Sequence, residues 1–420
     1  MPGKSADRLP NHVAARLLDV FLSLDMTHQE FDIAIIGAGA AGLHLALAFS
    51  EHTFFADKKI LLLDKDRKES NDRTWCFWEK GSGRWDSILT QSWSRGDFFG
   101  PCHHRQLELH PYRYNMLRAA DFYAFAKNRL SKHPNFTWQQ DAVQEVVQGS
   151  PLKILGSQHR YAARWVFDSR VPDAFPHLPK GEKSYTHLLQ HFKGWYVRTD
   201  TDRFDPGRFT MMDYRVLKAG ATSFTYVLPL SRREALVEFT LFSGGLLAEG
   251  EYDQMLRQYF DKILKIKDFE ISEVEWGVIP MSDFDFGQYS SGNHIRIGTG
   301  GGWVKPSSGY AFKNCERNAR RIAVNLASGR PANKGLFSRR FQFYDSIFLG
   351  VLGHENALGP RLFETMYTRN DVQKIFAFLD EETSLPDDLS IISSFPKLPF
   401  LRALGRYFNS KLRAFDAKLF

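Results

Sequence analysis

Glu238 stands in the run Ala235–Phe242, whose other residues are apolar apart from one threonine. Burial disfavours the charged form of a carboxyl, so such a group keeps its proton to higher pH than usual. It can then serve as a general acid near neutrality. A carboxylate on a solvated edge strand, or one paired with Arg232 or Arg233, accounts for the same letters without chemistry. A second cluster, Asp72-Arg73-Thr74-Trp75 continuing into Cys76-Phe77-Trp78, sets charge beside indoles. It can bring a guanidinium and aromatic faces to a cofactor or a cationic intermediate, and it reads equally as a surface loop anchored by tryptophan. Pro101-Cys102-His103-His104 holds metal-binding residue types, but no second His/Cys pair stands at ligand spacing, so the expectation is no metal. Asp380-Glu381-Glu382 reads as a solvated acidic turn. There is no GxSxG or Walker motif, and no basic–aromatic pattern that would call for nucleic acid.

The elements that would position this chemistry begin with Phe31–Ile36, an apolar run of strand length. Gly37-Ala38-Gly39-Ala40-Ala41-Gly42 follows at once, then a helical stretch over 43–50 and a second apolar strand, 59–63, ending in Asp64. Strand, GxGxxG, helix, strand and acid in this order form the dinucleotide-binding pattern. Gly37 permits the tight turn, Gly39 admits a pyrophosphate to the backbone, and Gly42 lets the helix pack on the sheet. The helix N-terminus holds the phosphates, and Asp64 accepts from the ribose hydroxyls. A second glycine-rich segment, 295–302 with Gly298, Gly300 and Gly301, leads into Trp303-Val304-Lys305-Pro306. A late glycine turn returning to the first domain is what the flavin half of FAD needs, so FAD rather than NAD is the expected resident cofactor.

The chain of 420 residues is 43% hydrophobic and 25% charged, which excludes disordered, collagenous and coiled-coil classes and exceeds one ordinary core. A net charge of +7 suits an anionic surface or ligand, and three scattered cysteines argue against a disulfide framework. No apolar run reaches the roughly 18 residues of a spanning helix. The first 25 residues hold no secretory core, and Asp7, Asp19 and Asp25 count against a transit peptide. The reading is therefore a cytoplasmic protein with peripheral membrane association. A helix is expected over 115–131 with Asn115 as its cap. Strands are expected over 137–147, 161–168 and through 185–242, with a hairpin turn at Ser231–Glu234. Helices follow at 251–264 and 371–379. From Phe400 to Phe420, apolar residues at three- and four-residue steps alternate with Arg402, Arg406, Lys411, Arg413 and Lys418. That tail fits a membrane interface or a helix docked on the body of the protein.

Read in order, these motifs resemble the flavin-dependent lycopene cyclases of carotenoid biosynthesis, bacterial type, from about Phe31 to Leu404. The resemblance rests on the glycine turn, on Asp72–Trp75, on Tyr226–Ser231 leading to Leu236–Thr240, on Glu275–Met281 and on Gly298–Phe312. It implies a mixed α/β fold like the geranylgeranyl-reductase and aromatic-hydroxylase flavoproteins, a Rossmann-type FAD domain interleaved with an antiparallel substrate sheet. The divisions expected are an extension over 1–30, FAD-domain parts at 31–184 and 286–330, a substrate sheet at 185–285, and a helical region with a basic tail at 331–420. The implied reaction is acid-initiated, redox-neutral cyclisation of the ψ end groups of lycopene, through a monocyclic carotene to β-carotene, with reduced FAD and NAD(P)H as its reductant. Glu238 inherits the general acid, acting as base on return, and Glu275 is the second candidate. Arg73 joins the cofactor-binding set. Two departures stand out: Phe239 occupies a position where plant members carry a second acid, and Thr299 one where many flavoproteins carry Asp. A flavin monooxygenase or a polyprenoid reductase of the same fold is the alternative enzyme, and a flavin- or carotenoid-carrying protein the non-enzymatic one.

Overall fold

The computed structural model describes residues 29–172, 175 and 185–416, with side chains to Ser410. The extension expected over 1–30 therefore lies almost wholly outside the described residues, as do residues 181–184 at the expected boundary and the tail side chains from Lys411 onward.

Along the chain, β1 (Gln29–Ile36), α1 (Ala40–Ser50) and β2 (Ile60–Asp64) come first. They are followed by β3 (Thr74–Lys80), β4 (Gln91–Trp93), β5 (Arg95–Phe99), β6 (His104–Glu108), β7 (Tyr112–Arg118) and α2 (Ala119–Leu130). Next are β8 (Phe136–Gln140), β9 (Val143–Val147), β10 (Leu152–Gly156) and β11 (Arg160–Asp168). The middle of the chain holds β12 (His187–Arg198), β13 (Phe209–Asp213), β14 (Thr222–Pro229), β15 (Glu234–Ser243), α3 (Glu249–Tyr259), β16 (Glu270–Ser282) and β17 (His294–Arg296). The C-terminal helices are α4 (Phe312–Ala327), α5 (Arg339–His354), α6 (Gly359–Arg369), α7 (Val372–Leu379), α8 (Leu385–Ser393) and α9 (Lys397–Asp416).

Three sheets organise these elements. The first runs β8-β2-β1-β11-β10-β9, with β17 also pairing β11. Its β8, β2, β1, β11 and β17 pairings are parallel, and both faces are covered by apolar clusters, as parallel strands require. The second runs β16-β12-β15-β14-β13-β5-β6 and is antiparallel except for β13 with β5. The third is β3-β7-β4. Strand alternation divides β15 cleanly. Val237, Phe239 and Leu241 point into a core shared with α3, whereas Leu236 and Phe242 join the core under the C-terminal helices.

The helix expected over 115–131 begins only at Ala119. Asn115 lies fully buried inside β7, where its Oδ1 accepts from Ser92 Oγ at 2.7 Å. Pairing of β7 with both β3 and β4 overrides the local helical spacing. The acidic turn at Asp380–Glu382 is likewise no simple solvated loop. Trp78 Nε1 donates to Asp380 Oδ2 at 2.7 Å, and burial pushes Asp380 up to about 7. Buried Lys305 pairs with Asp345 at 3.0 Å and with Glu381 at 3.3 Å, which ties the loop after β17 to the C-terminal helices. Of the two readings of the tail, docking holds for the described part of α9. Arg402 pairs with Glu355, which caps the C-terminus of α5, and Ala403, Leu404 and Tyr407 pack into the core. Leu398, Leu401 and Phe408 remain exposed on that helix. Among the described residues no helix is long and apolar enough to cross a membrane.

Candidate active site

At the glycine turn, Gly37 has φ +94° and its N–H donates to Leu63 O at 2.7 Å, joining the turn to the end of β2. A Cβ on Gly42 would sit 1.9 Å from Gly37 O, so that position must be glycine for α1 to pack. Gly39 is different: no protein atom lies within 4 Å of an ideal Cβ there. It begins α1 without a side-chain cap and without an acid in the first turn. Open space in front of free N–H groups at a helix N-terminus fits a pyrophosphate. Asp64 is buried, and its two oxygens accept from Ala38 N at 2.6 Å and Asp66 N at 2.8 Å. Each oxygen keeps a lone pair for a further donor. The second glycine segment folds against the same turn, since a Cβ on Gly298 would lie 2.8 Å from Ala41 Cβ. Gly300 and Gly301 admit the carbonyls of Arg170 and Arg296, which would lie 2.1 and 2.5 Å from a Cβ.

A cavity of about 470 Å³ opens beside this junction. Its floor is a row of residues in register across four strands. β12 lies between β15 and β16, and its Gly194 pairs with Glu238 on one side and Glu275 on the other. Tyr226 of β14 pairs with Glu238 in turn. Directly paired residues share a face, so Tyr226, Glu238 and Glu275 all project into the cavity. Gly194 supplies no side chain between the two acids. A Cβ there would lie 2.8 Å from Leu236 Cδ1 and 3.4 Å from Glu238 Cβ. The walls come from Asp72 to Cys76, from Tyr114 of β7, and from the loop Ser308–Phe312.

The two acids sit in different environments. Glu238 is half-buried, its exposed part facing the cavity that it lines. Its carboxyl is pushed up to about 8, first by burial and then by the charge of Glu275, with Thr240 Oγ1 donating at 2.7 Å in opposition. Arg232 and Arg233 do not reach it; both pair with Asp202. Glu275 is also raised by burial. Against that, Thr74 N and Thr74 Oγ1 donate to its two oxygens, each at 2.7 Å, and Arg118 adds favourable charge. Hydrogen bonds to the charged form favour ionisation, so of the pair Glu238 is the better proton holder and Glu275 the better carboxylate. Burial holds the Cys76 thiol and the hydroxyls of Tyr114 and Tyr226 neutral, and pushes Tyr310 up to about 12.

Sequence reasoning singled out Glu238, Glu275 and Arg73, and all three line one cavity with Thr299 of the second glycine segment. Arg73 stands at its exposed rim, 3.7 Å from Asp72. Phe239 points away from the cavity, into the core with α3. An acid at that position would not face Glu238; the second carboxylate comes from β16. Thr74 was named only as part of the Asp72–Trp75 cluster, without a role of its own, and Tyr226, Tyr114, Tyr310 and Gly194 were given none. Tyr226 was within reach, because a hairpin turning at 231–234 sets 226 opposite 238. Nothing local signals Gly194, or that Thr74 would hold Glu275. Among the described residues no group of three or more His, Cys, Asp or Glu side chains converges as a metal site.

A family model described as "Lycopene cyclase protein" matches residues 32–405. A protein named lycopene beta-cyclase, from Paracoccus sp. (strain N81106 / MBIC 01143), is 27% identical over 326 residues, which cover 74% of this chain and 76% of that relative. A chloroplastic neoxanthin synthase of Solanum tuberosum is 25% identical over 369 residues, 79% of this chain and 68% of the relative. Among solved structures, a geranylgeranyl bacteriochlorophyll reductase-like protein from Thermoplasma acidophilum aligns with a TM-score of 0.58 at 12% identity, over 90% of this chain and 100% of that one. A flavoprotein/dehydrogenase from Cytophaga hutchinsonii gives 0.58 and 12%, over 91% and 100%. At these identities the structural likeness carries the fold, the mixed α/β architecture of the flavoproteins.

Proposed function

We propose, because this chain belongs to the lycopene cyclase family and acts in carotenoid cyclisation, that it closes the ψ end groups of lycopene into β rings, through a monocyclic carotene. The observation that carries the reading is the row Tyr226, Glu238, Gly194, Glu275, which sets a proton-holding carboxyl and a hydrogen-bonded carboxylate in one cavity, one strand apart from each other. Glu238 donates its proton to C2 of the end group. The C5=C6 double bond closes onto C1, leaving a tertiary cation at C5. The carboxylate left on Glu238 takes the proton from C6, so the acid is regenerated and no electrons are consumed. Glu275, held by Thr74, opposes the developing positive charge, and Gly194 puts no side chain of its own between the two acids. The faces of Tyr226 and Tyr310 add cation–π attraction.

In this reading Gly37, Gly39, Gly42 and Asp64 hold the adenosine and pyrophosphate of FAD. Gly298, Gly300 and Gly301 offer backbone to its flavin half, and Arg73 stands at the rim. Reduced FAD supplies negative charge beside the cation when bound, with NAD(P)H as its reductant. The substrates are acyclic and monocyclic carotenes, and the protein meets them at a membrane surface through Leu385, Leu389, Leu398, Leu401 and Phe408, all exposed on or beside α8 and α9. Pigment analysis in lycopene-accumulating cells is the test. The protein converts lycopene to β-carotene, and Glu238→Gln leaves the red pigment. Unchanged lycopene with the unaltered protein, alongside oxidation of NAD(P)H by its bound flavin, selects the reductase or monooxygenase instead.

A further inference from the structure

A second cavity, about 440 Å³, lies among the C-terminal helices and is lined by side chains of α5, α6, α7, α8 and α9. Its walls are overwhelmingly aromatic and aliphatic, and Leu389 and Leu401, 55% and 61% exposed, stand at its outer rim. Among the described residues, two line both this cavity and the one holding the acids: Ser308 and Tyr310. They belong to a tight loop in which Lys305 N donates to Tyr310 O, Ser308 N and Gly309 N donate to Lys305 O, and Gly309 takes φ +75°. The Lys305 pairs with Asp345 and Glu381 anchor that loop to the helices. Ser308 Oγ is buried at the junction without a hydrogen-bond partner.

The volumes decide what each cavity can do. About 470 Å³ is the size of a pocket for a single drug-sized ligand. A carotene is far longer than a pocket of this size is wide, so most of its polyene must lie outside it. The remaining polyene has no polar atoms, so it gains only where water is excluded by apolar walls. The helical cavity is the adjoining space with such walls, and it opens where apolar side chains face outward.

We propose that the helical cavity between α5 and α9 is the binding site for the polyene chain of the substrate, which passes Ser308 and Tyr310 to bring its end group to Glu238. This rests on the cyclase reading for the identity of the ligand.

The test uses the FAD-loaded full-length protein and lycopene in detergent micelles, with binding read from quenching of tryptophan fluorescence. Ile392→Trp fills the helical cavity and Ser308→Phe plugs the junction. Each is expected to weaken lycopene binding at least tenfold while flavin content stays as in the parent. Binding within twofold of the parent in both variants overturns the proposal, and so does a parent protein that does not bind lycopene. Glu238→Gln separates the two claims. It should bind lycopene like the parent without cyclising it; continued cyclisation would sink the acid assignment and leave the cavity assignment to its binding data. Should the bulky variants fail to fold, a diazirine-bearing polyene photolinked to the unaltered holoprotein decides. Label within 385–404 supports the proposal, and label confined to the residues around Glu238 and Glu275 overturns it.

Discussion

The glycine turn and the acid row solve opposite problems. At the turn, everything needed lies between Gln29 and Asp64, and the working parts are backbone: a positive-φ glycine, a helix packed on it through Gly42, and an open Gly39. Polar groups there satisfy one another, as Ala38 N and Asp66 N do with Asp64. At the row, four strands contribute one residue each, and the working parts are side chains, Glu275 well supplied with donors and Glu238 kept short of them. Glu238 has Thr240 alone as a hydrogen-bond donor and no cation beside it. The first region works by leaving space in front of an uncapped helix N-terminus, the second by withholding solvation from a titratable group. Substitutions should therefore fail differently: by an added Cβ at the turn, and by a changed charge in the row.

The sharpest break of that contrast is Glu238→Gln. It keeps shape and FAD but removes the proton, and it should lower cyclisation by roughly 10²–10⁴-fold, the usual contribution of a general acid, measured as carotene product per bound flavin. At the turn, Gly39→Val should leave a folded protein, because no protein atom opposes the added atoms. Flavin absorbance of the purified variant should then fall about tenfold or more as the pyrophosphate loses its seat. Gly42→Val collides with Gly37 O and should instead give insoluble protein. If both variants fold and bind flavin alike, the distinction between open and packed glycines is wrong.

A smaller effect is expected at the second acid. Glu275→Gln should slow cyclisation by about 10- to 100-fold, less than the loss at Glu238, since it removes electrostatic support and leaves the proton. Because the charge of Glu275 raises Glu238, the same variant should move the alkaline limb of the pH–rate profile downward. In the parent that limb should fall through about pH 8, where Glu238 loses its proton. Stability follows the same group. A raised folded-state pKa means its contribution is fully present below the ordinary glutamate range and is lost as pH rises through about 8. The thermal midpoint of Glu238→Gln should therefore gain on the parent between pH 6 and pH 9. The smallest effect belongs to Thr240→Val: losing a hydrogen bond to the charged form should lift the alkaline limb by about one pH unit. A limb that stays put would mean that Thr240 does not tune the acid.

Much of the first region was legible in the sequence because its geometry is local. Strand, glycine turn, helix, strand and acid follow one another without interruption, and each glycine has a nearby reason. Glu238 was legible too, as a lone acid in a strand buried on both faces, and the hairpin turn beside it sets Tyr226 opposite. Asn115 shows the limit. Its surroundings have helical spacing, and only pairing with two distant strands makes it part of β7. The acids at 380–382 show another, because the partners of the first two, Trp78 and Lys305, are remote in sequence.

The sequence alone determined the dinucleotide turn, the alternation that turns Glu238 and Phe239 to opposite faces, and the family likeness that joins the motifs. Only the tertiary structure decided that Glu238 and Glu275 line one cavity on either side of Gly194, that Thr74 holds the second acid, and that an apolar cavity adjoins the first. The reason is physical. A turn or a strand face is set by a few neighbouring dihedrals and the chirality of the chain, whereas strand register and enclosure depend on which remote segments pair and how much water they expel.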